Sequence, residues 1–339
     1  MDIIKVLEVI KMTKPKVYVT RPVPSEALNL LKERCDVEMN SETRNLEKEE
    51  LLEKVKGYDA LLVTGTRIDE EICEGIKSHC KILANYGVGY DNINVEAATK
   101  HGIYVTNTPG IVTDATADLA WTLLLATARR IVECDRYVRS GGKDWGPTKL
   151  MGTQVSGKTI GIIGAGRIGT AMGQRAKGFN MKILYTGNSV KPDFEKTTGG
   201  QYVDRETLLR ESDFISIHVP SMPSTRHLIS TNELKQMKNS AILVNTSRGA
   251  LIDEKALVLA LRDKEIAGAG LDVFEREPLL EPGLTDFENV VLTPHIGTST
   301  LDVRIMMGEG CAQNIFAALE GKLPPNCVNP EVSARLMKD

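Results

Sequence analysis

Short apolar runs rich in β-branched residues alternate with amphipathic segments over the first third of the chain. Five of these runs are predicted to be strands, at residues 16–20, 36–40, 60–64, 82–86 and 103–107. The amphipathic segments that predict helices begin at Pro24-Ser25 and lie near 47–56, 69–78 and 94–100. Strands that alternate with helices indicate βαβ units, and therefore a parallel sheet with helices on both faces.

A second series of apolar runs follows a long helical segment. Its six predicted strands lie at 159–163, 182–186, 214–219, 241–245, 268–273 and 290–293. Two series predict two α/β domains, residues 13–107 and residues 108–298. The last amphipathic segment, from 299 to about 321, has no strand after it. We therefore expect residues 299–328 to return to the first domain and complete it.

The most apolar segment is predicted to be one helix from about Thr113 to Tyr137. Asp114 and Asp118 interrupt it and Arg129-Arg130 close it, so it falls short of the roughly 20 apolar residues that span a bilayer. The first residues, MDIIKVLEVIKM, carry charges among the apolar positions and lack the features of a signal peptide. A short helix or a frayed extension is expected over residues 1–12, and no membrane association is expected.

The composition is that of an ordinary soluble globular protein, with 42% hydrophobic and 26% charged residues in a chain of 339. The net charge of −3 comes from interspersed acids and bases, and no basic run suggests a nucleic acid partner. The six cysteines are scattered, without a CxxC pair or histidines at zinc spacing, so no metal site is expected. We interpret them as reduced thiols of a cytoplasmic protein.

A glycine motif joins the first strand of the second series to the helix after it. The sequence TIGIIGAGRIG places Gly164, Gly166 and Gly169 directly after that strand, in the spacing GxGxxG. The first glycine permits a tight turn, the second lets the backbone approach a pyrophosphate, and the third lets helix and strand pack closely. The helix N-terminus then faces the phosphates with its partial positive charge. In this setting the motif predicts a dinucleotide site; a glycine-rich turn that binds nothing is the alternative.

The next strand bears on which dinucleotide is bound. NAD sites place Asp or Glu about 20 residues after the glycines, where the carboxylate holds the ribose 2′-hydroxyl. Here residues 185–189 are Tyr, Thr, Gly, Asn and Ser, and the nearest acid is Asp193. Asn188, Ser189 and Lys191 offer donors to a 2′-phosphate, although the turn contains no arginine. NADPH is therefore favoured, and NADH stays possible.

Three chemically active side chains follow the last three strands of the second series: Arg248, Glu277 and His295. In an open α/β sheet, ligands bind outside the carboxyl ends of the strands, so all three are expected on the rim that also holds the glycine motif. Taken singly, each has an ordinary alternative: a surface charge, a member of a charged run, a polar residue that caps a loop. Their joint occurrence on one rim favours a catalytic site.

These residue types suit the reduction of a carbonyl group that lies next to a carboxylate. A guanidinium binds a carboxylate bidentately and polarises a neighbouring carbonyl. An imidazole delivers a proton to the alkoxide that forms, and a carboxylate on its other ring nitrogen fixes the tautomer. The hydride would come from a nicotinamide. The three side chains therefore predict a nicotinamide-dependent oxidoreductase.

The sequence resembles the D-isomer-specific 2-hydroxyacid dehydrogenases, and within them the glyoxylate/hydroxypyruvate reductases. The resemblance covers residues 15–328 and is carried by the motifs NYGVGYDNI, GIIGAGRIG, VNTSRGALID, GLDVFEREP and LTPHIGTST. It implies a flavodoxin-like substrate domain and a Rossmann dinucleotide-binding domain, both doubly wound, with an active-site cleft between them. It also implies NAD(P)H-dependent reduction of a small 2-keto acid, with glyoxylate or hydroxypyruvate favoured, to the D-2-hydroxy acid.

The resemblance also assigns roles to individual residues. It implies that Arg248, Glu277 and His295 form a catalytic trio with His295 as proton donor, and that the substrate also contacts Val88 and Gly89. The residues expected to bind the cofactor are Gly164, Ala165, Gly166, Arg167, Ile168, Gly169, Gly187, Asn188, Ser189, Thr246, Ser247, Asp272 and Gly297. The long helical segment and the loop around Trp145 resemble the segment through which members dimerise. A homodimer is therefore expected, with packing between domains as the alternative.

The same residues bear on other relatives of that family. Glu277 argues against the formate dehydrogenases, which carry glutamine there. The glycine motif at 164 argues against the L-specific lactate and malate dehydrogenases, which carry it near the N-terminus. The regulatory domain of many phosphoglycerate dehydrogenases is not expected in a chain of 339 residues.

Two functions stay open as alternatives, an NAD(H)-dependent binding module of the corepressor type and a reductase of a larger 2-keto acid such as 2-ketogluconate. A structural α/β protein without activity would leave the trio without a role.

Overall fold

Two parallel sheets organise the chain, one in each of two units. The computed structural model describes residues 14–333, so the prediction of a helix or extension over residues 1–12 lies outside the described residues. One unit contains the residues up to Val112 together with those from Thr300 onward, and the other is Thr113–Ser299. The prediction of two α/β domains with parallel sheets is confirmed.

The sheet of the first unit has five strands in the order β2-β1-β3-β4-β5. They are β1 (Lys16–Val19), β2 (Asp36–Met39), β3 (Ala60–Val63), β4 (Ile82–Asn85) and β5 (Tyr104–Thr106). Every residue of β3 and β4 is buried, because helices cover both faces of a parallel sheet. This strand order is the doubly wound, flavodoxin-like one that the sequence predicts.

Side chains cap the free N–H groups at the start of two helices in the middle of the first unit. Asp69 accepts the N–H of Ile72 at 3.1 Å, and Asn94 accepts the N–H of Ala97 at 3.0 Å. The α-helices are Asn29–Arg34, Lys48–Lys54, Glu70–Ile76, Val95–Lys100 and Leu301–Leu319, and a 3₁₀ turn covers Ser25–Leu28.

The helix Leu301–Leu319 belongs to the first unit although the chain reaches it last. Its Gly308 lies so close to the turn Ser25–Leu28 that a Cβ there would meet the Ala27 carbonyl oxygen at 2.0 Å. The hydroxyl of Tyr86, just after β4, donates to the carbonyl of Arg304. After the helix, Val328 donates its N–H to the carbonyl of Val105 at 2.8 Å. The first unit is therefore built from two separate stretches of chain.

The sheet of the second unit has seven strands in the order β12-β11-β10-β9-β6-β7-β8. They are β6 (Thr159–Ile163), β7 (Lys182–Thr186), β8 (Gln201–Tyr202), β9 (Phe214–Ile217), β10 (Ile242–Asn245), β11 (Gly268–Leu271) and β12 (Val290–Leu292). The two-residue β8 was not predicted, because it is too short to show an alternating pattern. The strand order reverses between β6 and β9, and such a switch point leaves a crevice at the carboxyl ends of the strands.

Separate apolar clusters cover the two faces of this second sheet. Ile160 and Ile162 of β6 belong to one cluster, and Ile163 belongs to the other, as the alternation of side chains along a strand requires. The α-helices of the unit are Thr113–Ala128, Ile131–Arg139, Arg167–Gly178, Pro192–Thr198, Arg205–Glu211, Thr231–Gln236 and Glu254–Arg262. Short 3₁₀ turns cover Pro223–Thr225, Gly249–Leu251 and Leu284–Asp286.

The prediction of one helix from Thr113 to Tyr137 is wrong, because two helices, Thr113–Ala128 and Ile131–Arg139, occupy this stretch. Arg130 adopts the left-handed conformation, with φ of 52°. The carbonyl of Ala128 accepts the N–H of Thr153 at 2.7 Å, where a continuing helix would use the N–H four residues on. A long-range contact therefore ends the helix. No helix within residues 14–333 combines the length and the apolar character needed to cross a membrane.

Candidate active site

His295 and Glu277 meet at the carboxyl ends of β12 and β11. Nδ1 of His295 lies 2.8 Å from Oε2 of Glu277. The other oxygen, Oε1, accepts the N–H of Phe274 at 3.0 Å, so both oxygens of the carboxylate are engaged. The two side chains are 49% and 36% exposed, which leaves the histidine open to a ligand. With Nδ1 facing the carboxylate, Nε2 is the ring atom placed to exchange a proton.

The Glu277 carboxylate is held in its charged form. Burial acts to raise its pKa, but the hydrogen bond from His295, the charge of that ring, the N–H of Phe274 and the charge of Arg248 together lower the pKa below its ordinary value. An ionised carboxylate on Nδ1 stabilises a positively charged imidazole ring. The pair is thus suited to hold a proton and release it at Nε2.

Asp272, at the end of β11, shapes the loop that carries His295. This fully buried carboxylate accepts the hydroxyl of Thr293 at 2.7 Å and the N–H groups of Ile296 and Gly297 at 2.8 Å each. Its carbonyl also accepts the N–H of His295 at 2.8 Å. Burial raises the pKa of Asp272, against the lowering effect of these bonds. His295 has φ of 55°, a conformation that costs energy in most contexts, so the Asp272 bonds explain how the loop keeps it.

Arg248 follows β10 on a turn that Asn245 organises. Nδ2 of Asn245 donates to the carbonyl of Arg248 at 2.8 Å, and its Oδ1 accepts the N–H of Ser247 at 3.0 Å. The guanidinium of Arg248 donates to the Ser247 carbonyl at 2.7 Å. Asn245 is fully buried and was not among the residues singled out from the sequence. Its signal was its place at the end of a buried strand, two residues before a polar turn.

The turn after Arg248 touches the segment that carries Glu277. A Cβ on Gly249 would lie 1.9 Å from the carbonyl carbon of Phe274, so only glycine permits this approach. The charge of Arg248 also acts on Glu277, whose pKa it helps to lower. Arg248, Glu277 and His295 therefore lie in one neighbourhood of the second unit. Sequence reasoning did not find Gly249, because its need for a bare Cα arises from a partner segment 25 residues away.

The glycine motif forms a tight turn between β6 and the helix Arg167–Gly178. Gly164 has φ of 102°, and a Cβ there would meet the backbone of His218, after β9, at 2.8 Å. A Cβ on Gly169 would lie 2.0 Å from the carbonyl oxygen of Gly164, so the helix packs directly on the turn. Nothing lies within 4 Å of a Cβ on Gly166, so the backbone is open to an approaching group at that point. Burial lowers the pKa of His218 to about 4, so this neighbouring ring is neutral at pH 7.

The first N–H groups of that helix point away from any intrahelical acceptor. Thr170 is the first helical residue to bond back, from its N–H to the carbonyl of Gly166 at 2.8 Å. The N–H groups of Arg167, Ile168 and Gly169 therefore lie ahead of the first α-helical bond, next to the open face of Gly166. Ala165 is half-buried beside them. This arrangement matches the backbone cradle that a pyrophosphate needs.

The turn after β7 is exposed and held by two tyrosines. The Tyr202 hydroxyl donates to the carbonyl of Gly187 at 3.2 Å, and the Tyr185 hydroxyl accepts the N–H of Lys191 at 2.7 Å. Asn188 and Ser189 are exposed between these anchors. The sequence places no carboxylate between Thr186 and Lys191, so the turn presents no negative charge to a nearby phosphate.

A buried hydroxyl after β10 supports the fit of a dinucleotide. Thr246 is 7% exposed, and its Oγ1 has no hydrogen-bond partner within residues 14–333. A buried hydroxyl without a partner costs free energy, which a bound ligand recovers when it supplies one. Ser247 beside it donates to the carbonyl of Val219, after β9, at 2.9 Å. Together with the glycine turn, these residues fit a nicotinamide dinucleotide.

In the first unit, the carbonyl groups of the loop after β4 accept hydrogen bonds from asparagine side chains. Nδ2 of Asn85 donates to the carbonyls of Gly87 and Gly89 at 3.1 and 2.8 Å. Nδ2 of Asn107 donates to the carbonyl of Val88 at 2.8 Å. The carbonyls of three successive residues are thus all bound by side chains that end β4 or follow β5. This loop contains Val88 and Gly89, which the family resemblance implies as substrate contacts.

Comparison with known proteins places these residues in a family. Residues 121–297 match the family model described as "D-isomer specific 2-hydroxyacid dehydrogenase, NAD binding domain". A glyoxylate reductase from Thermococcus litoralis is 51% identical over 325 residues, which are 94% of this chain and 98% of that protein.

Solved structures agree with this family assignment. A glyoxylate reductase from Paecilomyes thermophila superposes with a TM-score of 0.83 at 33% identity, covering 94% of this chain and 99% of that one. An NADPH-dependent glyoxylate/hydroxypyruvate reductase from Sinorhizobium meliloti, solved with NADP and malonate, superposes with a TM-score of 0.82 at 29% identity. That match covers 94% of this chain and 98% of the other.

Proposed function

This chain belongs to the D-isomer-specific 2-hydroxyacid dehydrogenases, a family of nicotinamide-dependent oxidoreductases, and we propose that it reduces glyoxylate or hydroxypyruvate to the 2-hydroxy acid. The observation that carries this proposal is the 2.8 Å contact between His295 Nδ1 and Glu277 Oε2, with Arg248 in the same neighbourhood. The relatives named glyoxylate reductase support the choice of substrate.

Each of the three side chains has a defined task in this reaction. The Arg248 guanidinium binds the substrate carboxylate and polarises the keto oxygen, since its planar fork offers donors to both. His295 Nε2 gives its proton to that oxygen, and Glu277 stabilises the charged ring before transfer. Val88 and Gly89 bind the carboxylate through backbone N–H groups, a role supported by the engagement of the carbonyls on that loop. The bound nicotinamide supplies the hydride.

We propose NADPH as the preferred cofactor. The turn of Gly187, Asn188 and Ser189 would face the 2′-phosphate, and its lack of a carboxylate supports this choice. The N–H groups of Ala165, Arg167 and Ile168 would hold the pyrophosphate, and Thr246 and Ser247 would line the same site. Asp272 and Gly297 would lie near the carboxamide of the nicotinamide.

The decisive experiment varies His295 and Glu277 and follows glyoxylate reduction with NADPH against pH. His295→Ala should lower kcat by about 10²–10⁴-fold, the usual contribution of a general acid, while NADPH still binds. Because reduction needs the charged ring, the wild-type rate should fall as pH rises. Glu277→Gln removes the charge that stabilises the ring, so the same fall should occur at lower pH.

The outcomes of this experiment separate clearly. The pKa of Glu277 lies below the ordinary value of a glutamate, so Glu277 is ionised near neutral pH and its own titration does not contribute to the rate profile there. The reverse reaction, oxidation of glycolate, needs the neutral ring and should rise where reduction falls. A Glu277→Gln profile that stays in place or moves to higher pH would show that Glu277 does not serve His295.

We further propose that the enzyme is a homodimer of the cytoplasm. Support for the dimer comes from exposed apolar side chains on and after the helix Ile131–Arg139, where Trp145 is 76% exposed and Ile131, Val138 and Met151 are also exposed. Support for the compartment comes from the six cysteines, which are all free thiols. Light scattering of the purified protein checks the dimer.

A further inference from the structure

A buried carboxylate lies next to the segment that carries Glu277. Glu254 opens the helix Glu254–Arg262 and is only 3% exposed. Its Oε1 accepts the N–H of Glu275 at 2.7 Å, and its Oε2 has no hydrogen-bond partner within residues 14–333. Burial raises the pKa of Glu254 above its ordinary value, and the negative charges of Glu275 and Glu281 act in the same direction, while the backbone N–H groups of Glu275 and Glu281 act to lower it. Keeping such a group buried costs stability.

Helix capping does not account for this cost. Asp253, the preceding residue, already caps the helix by accepting the N–H of Ala256 at 3.1 Å. Ser230 donates to the other oxygen of Asp253 at 3.0 Å. The bond that Glu254 does make reaches outside its own helix, to the stretch between β11 and β12.

That bond holds one particular peptide group. The peptide between Phe274 and Glu275 lies flat against Gly249, since a Cβ there would sit 1.9 Å from the Phe274 carbonyl carbon and 2.3 Å from the Glu275 nitrogen. Glu254 binds the N–H of this same peptide. The side chain of Glu275 is fixed as well, because its Oε1 accepts from Arg226 at 2.5 Å and from His227 at 2.8 Å.

The preceding peptide, between Val273 and Phe274, shares Phe274 with the one that Glu254 holds, and its N–H binds the Glu277 carboxylate. Oε1 of Glu277 accepts the N–H of Phe274 at 3.0 Å, so the segment 274–277 closes on itself. The remaining oxygen then faces His295 at 2.8 Å. Three contacts thus connect Glu254 to the ring through two adjacent peptides: Glu254 binds the N–H of Glu275, Glu277 binds the N–H of Phe274 one residue earlier, and Glu277 contacts His295.

We propose that Glu254 is a positioning residue for proton transfer, which acts by holding the peptide 274–275 so that Glu277 stays on His295. This inference rests on the proposed function, in which His295 is the proton donor. Glu254 touches neither substrate nor cofactor in this role. Its removal lets the segment 274–277 turn and weakens the contact between Glu277 and His295.

The test is a double-mutant cycle between positions 254 and 277, measured as glyoxylate reduction with NADPH against pH. Glu254→Ala should lower kcat roughly tenfold, with little change in KM for NADPH, because one hydrogen bond to the segment is lost. The fall of the rate with rising pH should move to lower pH, as in Glu277→Gln. Glu254→Gln keeps an oxygen for the Glu275 N–H and should recover most of kcat.

The cycle and a control separate positioning from plain loss of stability. In the Glu277→Gln background, Glu254→Ala should change kcat less than about twofold, since the carboxylate it positions is already gone. Asp204→Ala is the matched control: Asp204 caps another helix of this unit by accepting the N–H of Thr207 at 2.8 Å. That variant should lose stability and keep the wild-type pH profile.

Each remaining outcome decides against a specific claim. If Glu254→Ala does not fold, Glu254→Asp takes its place, since the shorter side chain withdraws the oxygen while the charge stays. Additive losses in the double mutant, or an unmoved pH profile in Glu254→Ala or in the Glu254→Asp that replaces it, would overturn the positioning role alone. An unmoved profile in Glu277→Gln would overturn the proposed function together with this inference.

Discussion

At position 186, where β7 ends, the chain has a threonine that is 8% exposed, followed by the exposed residues Gly187, Asn188 and Ser189. A carboxylate at this point would accept the 2′-hydroxyl of an adenosine ribose and repel a 2′-phosphate. We therefore expect the choice between the two nicotinamide dinucleotides to depend on the charge at this position.

Thr186→Asp should therefore reverse cofactor preference. We expect kcat/KM for NADPH over NADH to exceed one in the wild type and to fall below one in the variant, because the new charge repels the phosphate. Thr186→Asn is the matched control, with nearly the same shape and no charge, and it should keep the preference for NADPH. Steady-state kinetics with both cofactors measure the ratio. A wild-type enzyme that prefers NADH would refute the cofactor proposal.

Sequence reasoning located the trio because each member follows a strand, and the carboxyl ends of parallel strands share one rim. The prediction of Arg248, Glu277 and His295 required no knowledge of side-chain contacts. Gly249 and Glu254 could not be predicted in this way, because their importance depends on contacts. Both contact the peptide after Phe274, which lies more than 20 residues away along the chain. Local patterns do not encode such approaches.

At the scale of elements, the helix that breaks at Arg130 shows how a tertiary contact overrides local preference. Arg129 and Arg130 are good helix formers, and no proline or glycine marks an end there. The structure ends the helix because the N–H of Thr153 takes the carbonyl of Ala128. Most other predicted elements agree with the structure to within a few residues, since an apolar run in a buried parallel strand is a strong local signal.

The helix Leu301–Leu319 offers a test of packing with a control two residues away. Gly308→Ala puts a Cβ 2.0 Å from the Ala27 carbonyl, so backbone must shift, and we expect a loss of about 1–3 kcal/mol in the free energy of unfolding. Gly310→Ala meets side chains and no backbone, Ile111 at 3.2 Å and Thr108 at 3.7 Å. It also gains up to about 1 kcal/mol of helix propensity, so its net effect should be small. Urea denaturation followed by circular dichroism compares the two, and equal losses would contradict this packing.

At the scale of the whole molecule, the second unit is continuous in sequence and the first is not. The two apolar clusters on the faces of the second sheet consist entirely of residues between 113 and 299. The cluster of the first unit draws on residues 18–105 and packs against Val328 from the end of the chain. The second unit therefore holds a complete core in one stretch, which the first does not.

A fragment of residues 113–299 should thus fold by itself and bind NADPH. Both tryptophans of the chain lie in it, at positions 121 and 145, so quenching of their fluorescence reports binding. A fragment that stops at Val112 lacks the helix that covers Ala27, and it should stay unfolded by circular dichroism. A fragment 113–299 without a cooperative melting transition would contradict the independence of this unit.

The division of the first unit between two distant stretches has a consequence for its folding during synthesis on the ribosome. A ribosome that adds 5–20 residues per second spends about 10–40 s on residues 113–299 before the helix Leu301–Leu319 emerges. Throughout that interval the residues around Ala27 that this helix later covers stay exposed to solvent and to chaperones, because the first unit stays unfolded without the helix. The second unit is thus complete on the nascent chain before the first unit has its last helix. We expect a chaperone to bind at the residues around Ala27 during this interval.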